Sequence, residues 1–195
     1  NSDTLPKVLL NQRYYAQVAK TSRNDKDKAY IADCFQTATW LVRALDQRAK
    51  TILKVSSEIV RQQDGFFANG VQYLRPLNLK TVADAIGMHE STVSRVTANK
   101  YMATSRGIFE LKYFFTSAIA AANGGEAHSA EAVRHRIRQL IEDESAQDVL
   151  SDDTIVEKLR TAGIEIARRT VAKYREAMRI PSSVQRRREK LAAGA

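Results

Sequence analysis

The 195-residue chain has only one cysteine and three histidines. With Cys34 alone no disulfide can form within the chain, and this cysteine usage is typical of the reducing cytoplasm. We expect Cys34 to be a small buried residue, because no base partner is evident for it in the sequence. His89, His128 and His135 are scattered at spacings that match no metal-binding motif. We therefore expect no enzymatic activity, no metal site and no cofactor.

Long apolar runs are also missing. No segment approaches the roughly 20 apolar residues that a membrane-spanning helix needs. The first ten residues, NSDTLPKVLL, have neither the basic start nor the long apolar core of a signal peptide. These features argue against a membrane partner and favour a cytoplasmic location. The chain does not begin with methionine, which suggests a fragment or a processed product.

Positive charge is abundant, and it is concentrated near one end of the chain. The net charge is +9, and residues 167–190 hold nine Lys or Arg against two Glu. The rest of the chain is almost balanced in charge. A local basic patch predicts a polyanion as partner. Because a membrane is disfavoured, nucleic acid is the favoured partner.

Hydrophobic periodicity predicts an all-α fold. From Tyr30 onward, apolar residues recur at the spacing of one helix face. They are Leu41, Leu45, Ile52, Val55 and Ile59. Trp40 and the pair Phe66–Phe67 are interpreted as packing residues. No stretch of the sequence shows a convincing strand alternation.

Three further predictions concern the second half of the chain. Apolar residues from Ile108 to Ile119 predict a long helix that ends at Gly124–Gly125. A helix capped by Ser129 follows. Residues 140–153 carry six acidic residues and no basic one, which predicts a linker before a separate terminal module. Pro181 is expected to end the last helix, and the residues after it read as a basic tail.

A helix-turn-helix pattern follows Pro76. Ala83 permits close helix approach, Gly87 permits a turn with positive φ, and Val93 closes a small core. The outer face of the second helix then carries side chains that can bind base edges and phosphates. These candidates are His89, Glu90, Ser91, Thr92, Ser94 and Arg95. A helical hairpin with a merely polar outer face is the alternative.

A second pattern of this kind ends in the decapeptide ARRTVAKYRE, residues 167–176. Ser151 is a plausible cap of its first helix, and Gly163 starts the turn. Val171, Tyr174 and Met178 are spaced to pack the second helix against the first. We expect the cations Arg168, Arg169, Lys173 and Arg175 to spread over its remaining surface. The alternative is a solvated basic face without a partner.

These residues resemble a known family. ARRTVAKYRE is identical to the ten-residue box that defines the sigma-54 (RpoN) class of bacterial sigma factors. The segment PLNLKTVADAIGMHESTVSRV resembles the other signature of that family, and RGIFELKYFF is similar to the block that follows it. The resemblance covers essentially the whole chain.

The resemblance implies a function and a set of partners. Members of the family bind core RNA polymerase and direct it to promoters with an upstream GG (minus 24) and a downstream GC (minus 12) element. An AAA+ enhancer-binding activator ATPase then starts transcription. The implied location is the bacterial cytoplasm, at the nucleoid.

The resemblance also implies domains and residue roles. Residues 1–75 correspond to part of the core-polymerase-binding region, 76–125 to a helix-turn-helix region, and 126–195 to a three-helix RpoN-box domain, with a linker near 142–153. The implied upstream-element residues are Arg168, Arg169, Thr170, Lys173, Tyr174 and Arg175. The implied downstream-element residues are His89, Glu90, Ser91, Thr92, Ser94 and Arg95.

Three alternatives stay open. The chain could be a helix-turn-helix transcriptional regulator, a recombinase-like enzyme acting on DNA, or a protein-interaction module. An enzyme needs a nucleophile or clustered metal ligands, and only IEDESAQD, residues 141–148, imitates a carboxylate cluster. We interpret that segment as a solvated linker. The amphipathic pattern of residues 30–75 would by itself suit the interaction module.

Overall fold

A computed structural model describes residues 8–22, 24–121 and 127–193. Nine α-helices lie within these residues: α1 (Gln12–Thr21), α2 (Asp25–Gln62), α3 (Asp64–Asn69), α4 (Leu79–Ile86), α5 (Glu90–Thr97), α6 (Ala130–Glu142), α7 (Asp152–Thr161), α8 (Arg168–Ala177) and α9 (Ser183–Ala193). Four short strands lie there too: β1 (Tyr101–Thr104), β2 (Gly107–Glu110), β3 (Ala118–Ile119) and β4 (His128–Ser129). The predicted all-α class is confirmed.

The chain divides into two compact units, one up to residue 54 and one from residue 55. In the first unit, α1 begins at the cap of Asn11 and the Tyr15 ring stacks on Phe35 at 4.1 Å. Cys34 is exposed and Trp40 is 69% exposed, so the predictions that they are packed are wrong within the described chain. The apolar face of a helix is buried only where another element packs against it, and helical periodicity alone does not predict that element.

The second unit has its first core where α2 ends. Val55 and Ile59 of α2 are fully buried and pack with Phe66, Phe114 and the apolar faces of α4 and α5. The Phe66 and Phe114 rings meet edge to face at 5.4 Å. Edge-to-face contact is a favoured geometry for aromatic pairs. The last turns of α2 therefore support the residues that follow them.

A buried amide lies beside this core. Gln63 is fully buried, and its Nε2 donates to the Arg75 carbonyl at 2.9 Å and to the Phe114 carbonyl at 3.4 Å. Its Oε1 accepts from the Arg75 N–H at 2.9 Å. Because buried backbone groups need hydrogen-bond partners, one side chain satisfies three such groups.

Residues 101–119 correct the predicted long helix. They form an antiparallel hairpin of β1 and β2, a 3₁₀ turn over Leu111–Phe114, and the short strand β3, which pairs with β4. The hairpin turns at Ser105 and Arg106, and Gly107, which begins β2, has a φ of +124°. Arg106 donates to the carbonyls of Phe67 and Ala68. The predicted end at Gly124–Gly125 lies outside the described residues.

A second core joins α6, α7 and α8. Its fully buried residues are Val133, Ile137, Ile155, Leu159 and Val171. The predicted caps are both present: Ser129 Oγ accepts from the Ala132 N–H, and Ser151 Oγ from the Thr154 N–H, each at 3.1 Å. Three helices thus share one core, and the predicted separate terminal module stays a prediction.

The acidic segment after α6 is not simply solvated. The Glu144 side chain is fully buried and pairs with Arg186, and Val149 and Leu150 are buried as well. The residues after Pro181 are also not a tail, because they form α9. The predicted domain divisions at residues 75 and 125, and the linker near 142–153, stay predictions.

Candidate nucleic-acid interface

The first candidate surface is built by α4 and α5. Asn78 Oδ1 accepts from the Thr81 N–H at 2.7 Å and starts α4. Gly87 ends that helix in the left-handed region, with φ +66°, where a side chain would be strained. Val82 and Val93 are fully buried between the two helices. The sequence-predicted helix-turn-helix geometry is therefore present.

The start of α5 is capped by a histidine. His89 Nδ1 accepts from the Ser91 N–H at 3.2 Å and lies 2.8 Å from Ser91 Oγ. This cap satisfies one of the first N–H groups of α5. The other ring nitrogen, Nε2, takes no part in the cap and is available to a partner.

The predicted downstream-element residues share one outward face. His89, Glu90, Ser91, Ser94 and Arg95 are exposed, and Thr92 is half-buried. The opposite face of the helix packs into the core through Val93 and Thr97. The face thus combines one guanidinium, one carboxylate and several short hydroxyls. Such groups can read base edges in a major groove.

The second candidate surface is built by α7 and α8. Ser151 caps α7, and Asp152 and Asp153 occupy its first turn. Gly163, with φ +83°, lies in the connection of residues 162–167. Val171 is fully buried and holds α8 against the module core. The packing role predicted for Val171, Tyr174 and Met178 agrees with this core.

The start of α8 is exposed and basic. Its cap residue, Ala167, provides no side-chain hydrogen bond, so the first N–H groups of the helix lack a side-chain acceptor. Arg168, Arg169 and Lys173 are exposed. Arg168 Nε lies 3.3 Å from Asp153 Oδ1, in a pair that is open to solvent on both sides. Within the described residues, Arg169 and Lys173 have no carboxylate within ion-pair distance.

Arg175 corrects the prediction of a fully exposed cation set. It is 6% exposed, and its guanidinium forms a two-pronged pair with Asp152, with distances of 3.0 and 3.2 Å. Its Nη1 donates to the Ile180 carbonyl at 2.9 Å. Arg175 therefore fixes the end of α8 to the start of α7 and does not lie on the outer surface.

Tyr174 and Thr170 are half-buried in α8. The Tyr174 ring packs against the module core, and the Arg134 guanidinium lies 4.8 Å from the ring centroid. A cation over an aromatic face is attracted to it. Arg134 was not among the predicted site residues, because its partner is 40 positions later in the sequence and no local pattern connects them.

In residues 8–22, 24–121 and 127–193, no three His, Cys, Asp or Glu side chains are placed to hold a metal ion. Within the described residues, no helix is both long enough and apolar enough to cross a bilayer.

Comparisons with known proteins agree with the sequence resemblance. The family model described as sigma-54, DNA binding domain, matches residues 28–188. RNA polymerase sigma-54 factor 2 of Bradyrhizobium diazoefficiens is 75% identical over 193 residues, which are 99% of this chain and 36% of that protein. The sigma-54 factor of Azorhizobium caulinodans is 71% identical over 98% of this chain and 37% of its own length. The chain thus spans a little over a third of these relatives.

One solved structure is also similar over almost the whole chain. It is the crystal structure of Aquifex aeolicus sigmaN bound to promoter DNA, with a TM-score of 0.59 and 34% sequence identity. The match covers 96% of this chain and 55% of that one.

Proposed function

The chain belongs to the sigma-54 family, whose members are initiation factors rather than enzymes, and we propose that it recognises promoter DNA through two helix-turn-helix surfaces. One surface, α8, reads the upstream GG element at minus 24. The other, α5, reads the downstream GC element at minus 12. Residues before α4 bind core RNA polymerase, and an AAA+ activator ATPase starts transcription from the closed complex.

The observation that carries this proposal is the basic, uncapped start of α8. Arg168 and Arg169 are exposed at the helix end that meets base edges in helix-turn-helix proteins. An arginine can donate two hydrogen bonds to guanine O6 and N7, which suits a GG element. We assign Arg169 and Lys173 to base edges and the neighbouring phosphates, because neither has a carboxylate partner in the described chain. Arg168 is assigned to the same groove.

The other predicted residues of α8 have supporting roles. Thr170 is half-buried and can reach a phosphate through its hydroxyl. Tyr174 packs against the module core, and the edge of its ring is available to the DNA. Arg175 acts by holding α8 on α7, so its effect on DNA binding is indirect.

For the downstream element, Arg95 is the strongest candidate for guanine, and Ser91, Thr92 and Ser94 can contact either bases or phosphates. Glu90 can accept from the cytosine amino group. His89 can donate from Nε2 while Nδ1 caps the helix. Two modules that read elements one helical turn apart can bind the same face of a duplex.

A reciprocal binding experiment tests the assignment. Arg169→Ala should weaken binding to a GG/GC duplex by about 1–3 kcal/mol, the range for losing a two-pronged base contact, and should have little effect when GG is scrambled. Arg95→Ala should behave in the same way toward the GC element. Fluorescence anisotropy with the intact duplex and both scrambled duplexes measures this.

Arg160→Ala removes an exposed cation of α7 and serves as the matched control. Equal losses on intact and scrambled duplexes would reduce Arg169 and Arg95 to phosphate contacts and refute the base assignments. Capture of core RNA polymerase by the chain tests the partner separately. Absence of capture would remove that part of the proposal and leave DNA recognition standing.

A further inference from the structure

The C-terminal helix α9 is fastened to the terminal module by buried charges. Arg186 is 5% exposed, and its Nε and Nη2 donate to the two oxygens of Glu144 at 2.7 and 3.0 Å. The same guanidinium donates to the carbonyls of Leu150 and Pro181 at 2.8 and 2.7 Å. Lys190 Nζ donates to the Glu144 carbonyl at 2.5 Å. These contacts use four donor groups on one side of α9.

The attachment lies next to the attachment of α8. Leu150, which accepts from Arg186, is followed directly by the Ser151 cap of α7. The next two residues, Asp152 and Asp153, pair with Arg175 and Arg168 of α8. The start of α7 is therefore the common support of α8 and α9. The two helices have a fixed relation to each other.

The charge on α9 is divided between its two sides. Arg186 and Lys190 both pair with the buried Glu144. Arg187 and Arg188 are exposed, and neither forms an ion pair with a residue that the structure describes. Because α9 is a helix attached to the module, the backbone at Arg187 and Arg188 is held in place, so their side chains sample less volume than on a free tail.

We propose that Arg187 and Arg188 bind the phosphate backbone of DNA beside the upstream element that α8 reads. This inference rests on the proposed function of α8. Two exposed, unneutralised cations on a helix supported beside a recognition helix match the usual source of backbone contacts. Backbone contacts fix the register of a recognition helix and carry no sequence information themselves.

Charge complementarity favours DNA over a protein as the occupant. From the start of α8 to Arg188, six basic side chains are exposed, so the outward charge of α8 and α9 is strongly positive; they are Arg168, Arg169, Lys173, Arg179, Arg187 and Arg188. Val184 and Leu191, which are 62% and 58% exposed, are the apolar side chains of α9 that a protein partner could use instead. The experiment distinguishes the two occupants.

The test is a double substitution, Arg187→Gln with Arg188→Gln, in the whole chain. Binding to the GG/GC duplex and to a fully scrambled duplex is measured by anisotropy from about 50 to about 200 mM salt. Both affinities should fall by the same factor. The slope of log affinity against log salt should become shallower by about 2, because each neutralised phosphate contributes about 0.9.

The charge-matched control is Lys26→Gln with Lys28→Gln at the start of α2, in the other compact unit. It removes the same net charge and should leave the slope unchanged. Far-UV circular dichroism and thermal unfolding confirm that both variants are folded. An Arg186→Gln variant, which releases α9, should reproduce the loss of slope.

Three results would overturn the proposal. The slope could stay unchanged in the double variant, the loss could be confined to the GG/GC duplex, or capture of core polymerase could fall with DNA affinity intact. The last result would assign α9 to a protein partner. Failure of α9 is separable from failure of the proposed function. If only the α9 proposal fails, Arg169→Ala still abolishes the preference for GG. If the proposed function fails, the unmodified chain itself shows no preference for GG.

Discussion

In the α4–α5 pair the second helix begins at a capped N-terminus, whereas in the α7–α8 pair it begins at Ala167 without a side-chain cap. The connections differ too, residues 87–89 in the first pair and 162–167 in the second. Both pairs bury a valine of the second helix, Val93 or Val171. The apolar scheme is shared, and the differences lie at the helix ends and in the charges.

The charges show how the second pair holds its basic helix. Asp152 and Asp153, in the first turn of α7, pair with Arg175 and Arg168 of α8. In the first pair no ion pair joins α4 to α5 among the described residues. In the second pair, acidic residues of the neighbouring helix thus orient the basic helix, and Arg169 and Lys173 stay exposed on the proposed DNA surface.

The largest expected effect follows from breaking this support. Arg175→Ala should destabilise the chain by about 3–5 kcal/mol, because removal of one partner leaves the largely buried Asp152 carboxylate unpaired. Urea unfolding followed by circular dichroism measures the loss. Arg160→Ala on the exposed side of α7 is the control and should change stability by less than about 0.5 kcal/mol. Equal stability of the two variants would contradict a structural role for Arg175.

The next effect concerns pH and the buried carboxylate under α9. Burial by itself raises the pKa of Glu144, but hydrogen bonds from Arg186 and the Leu150 N–H, with the charges of Arg186 and Lys190, lower it below its ordinary value of 4.5. When the folded state lowers the pKa of a carboxyl group, the ionised group stabilises the fold at pH values above the ordinary pKa. This stabilisation is lost as the pH falls through the lowered pKa.

Glu144→Gln should therefore be less stable than the unmodified chain at neutral pH, and this difference in stability should narrow as the pH falls well below the ordinary value of 4.5. Chemical unfolding of both proteins at several pH values provides the measurement. Stability curves that stay parallel from neutral to acid pH would show that the carboxylate charge does not hold α9. The first pair offers the contrast, because its described core contains no carboxylate of this kind.

The smallest effect tests the missing cap. Ala167→Ser should stabilise α8 by about 1 kcal/mol, because a serine hydroxyl can accept from an N–H of the first turn. His89→Ala in the α4–α5 pair should destabilise the chain by a comparable amount, because it removes the side-chain cap of α5. Thermal unfolding measures both changes. If Ala167→Ser lowers the melting temperature, the start of α8 already has its N–H groups satisfied by another acceptor.

Local signals made much of the fold predictable. Gly87 requires a left-handed turn, and Ser129 and Ser151 are followed by apolar helical periods, so the helix starts and the first turn could be placed from the sequence. The exposed position of Arg169 followed from the packing of Val171, which lies two residues later on the opposite side of α8. In each case the residues that decide the structure lie within one or two helical turns.

Non-local pairing was not predictable in the same way. Arg175 is a cation in a basic run, and nothing near it in the sequence shows that Asp152, 23 positions earlier, buries it. Glu144 and Arg186 are separated by 42 positions, so α9 resembled a tail. The hairpin of β1 and β2 was missed because four-residue strands are too short to show alternation, and their apolar residues also fit a helical stripe.

The fully buried amide of Gln63 has a consequence for how the chain can vary. Glutamate has the same shape but would set a carboxylate against the carbonyls of Arg75 and Phe114, and leucine would leave the Arg75 N–H without an acceptor. In a saturation-mutagenesis survey, position 63 should be among the least tolerant, although it is uncharged and lies outside both proposed DNA surfaces. Intolerance at that position would reflect folding and carry no information about which promoters are chosen.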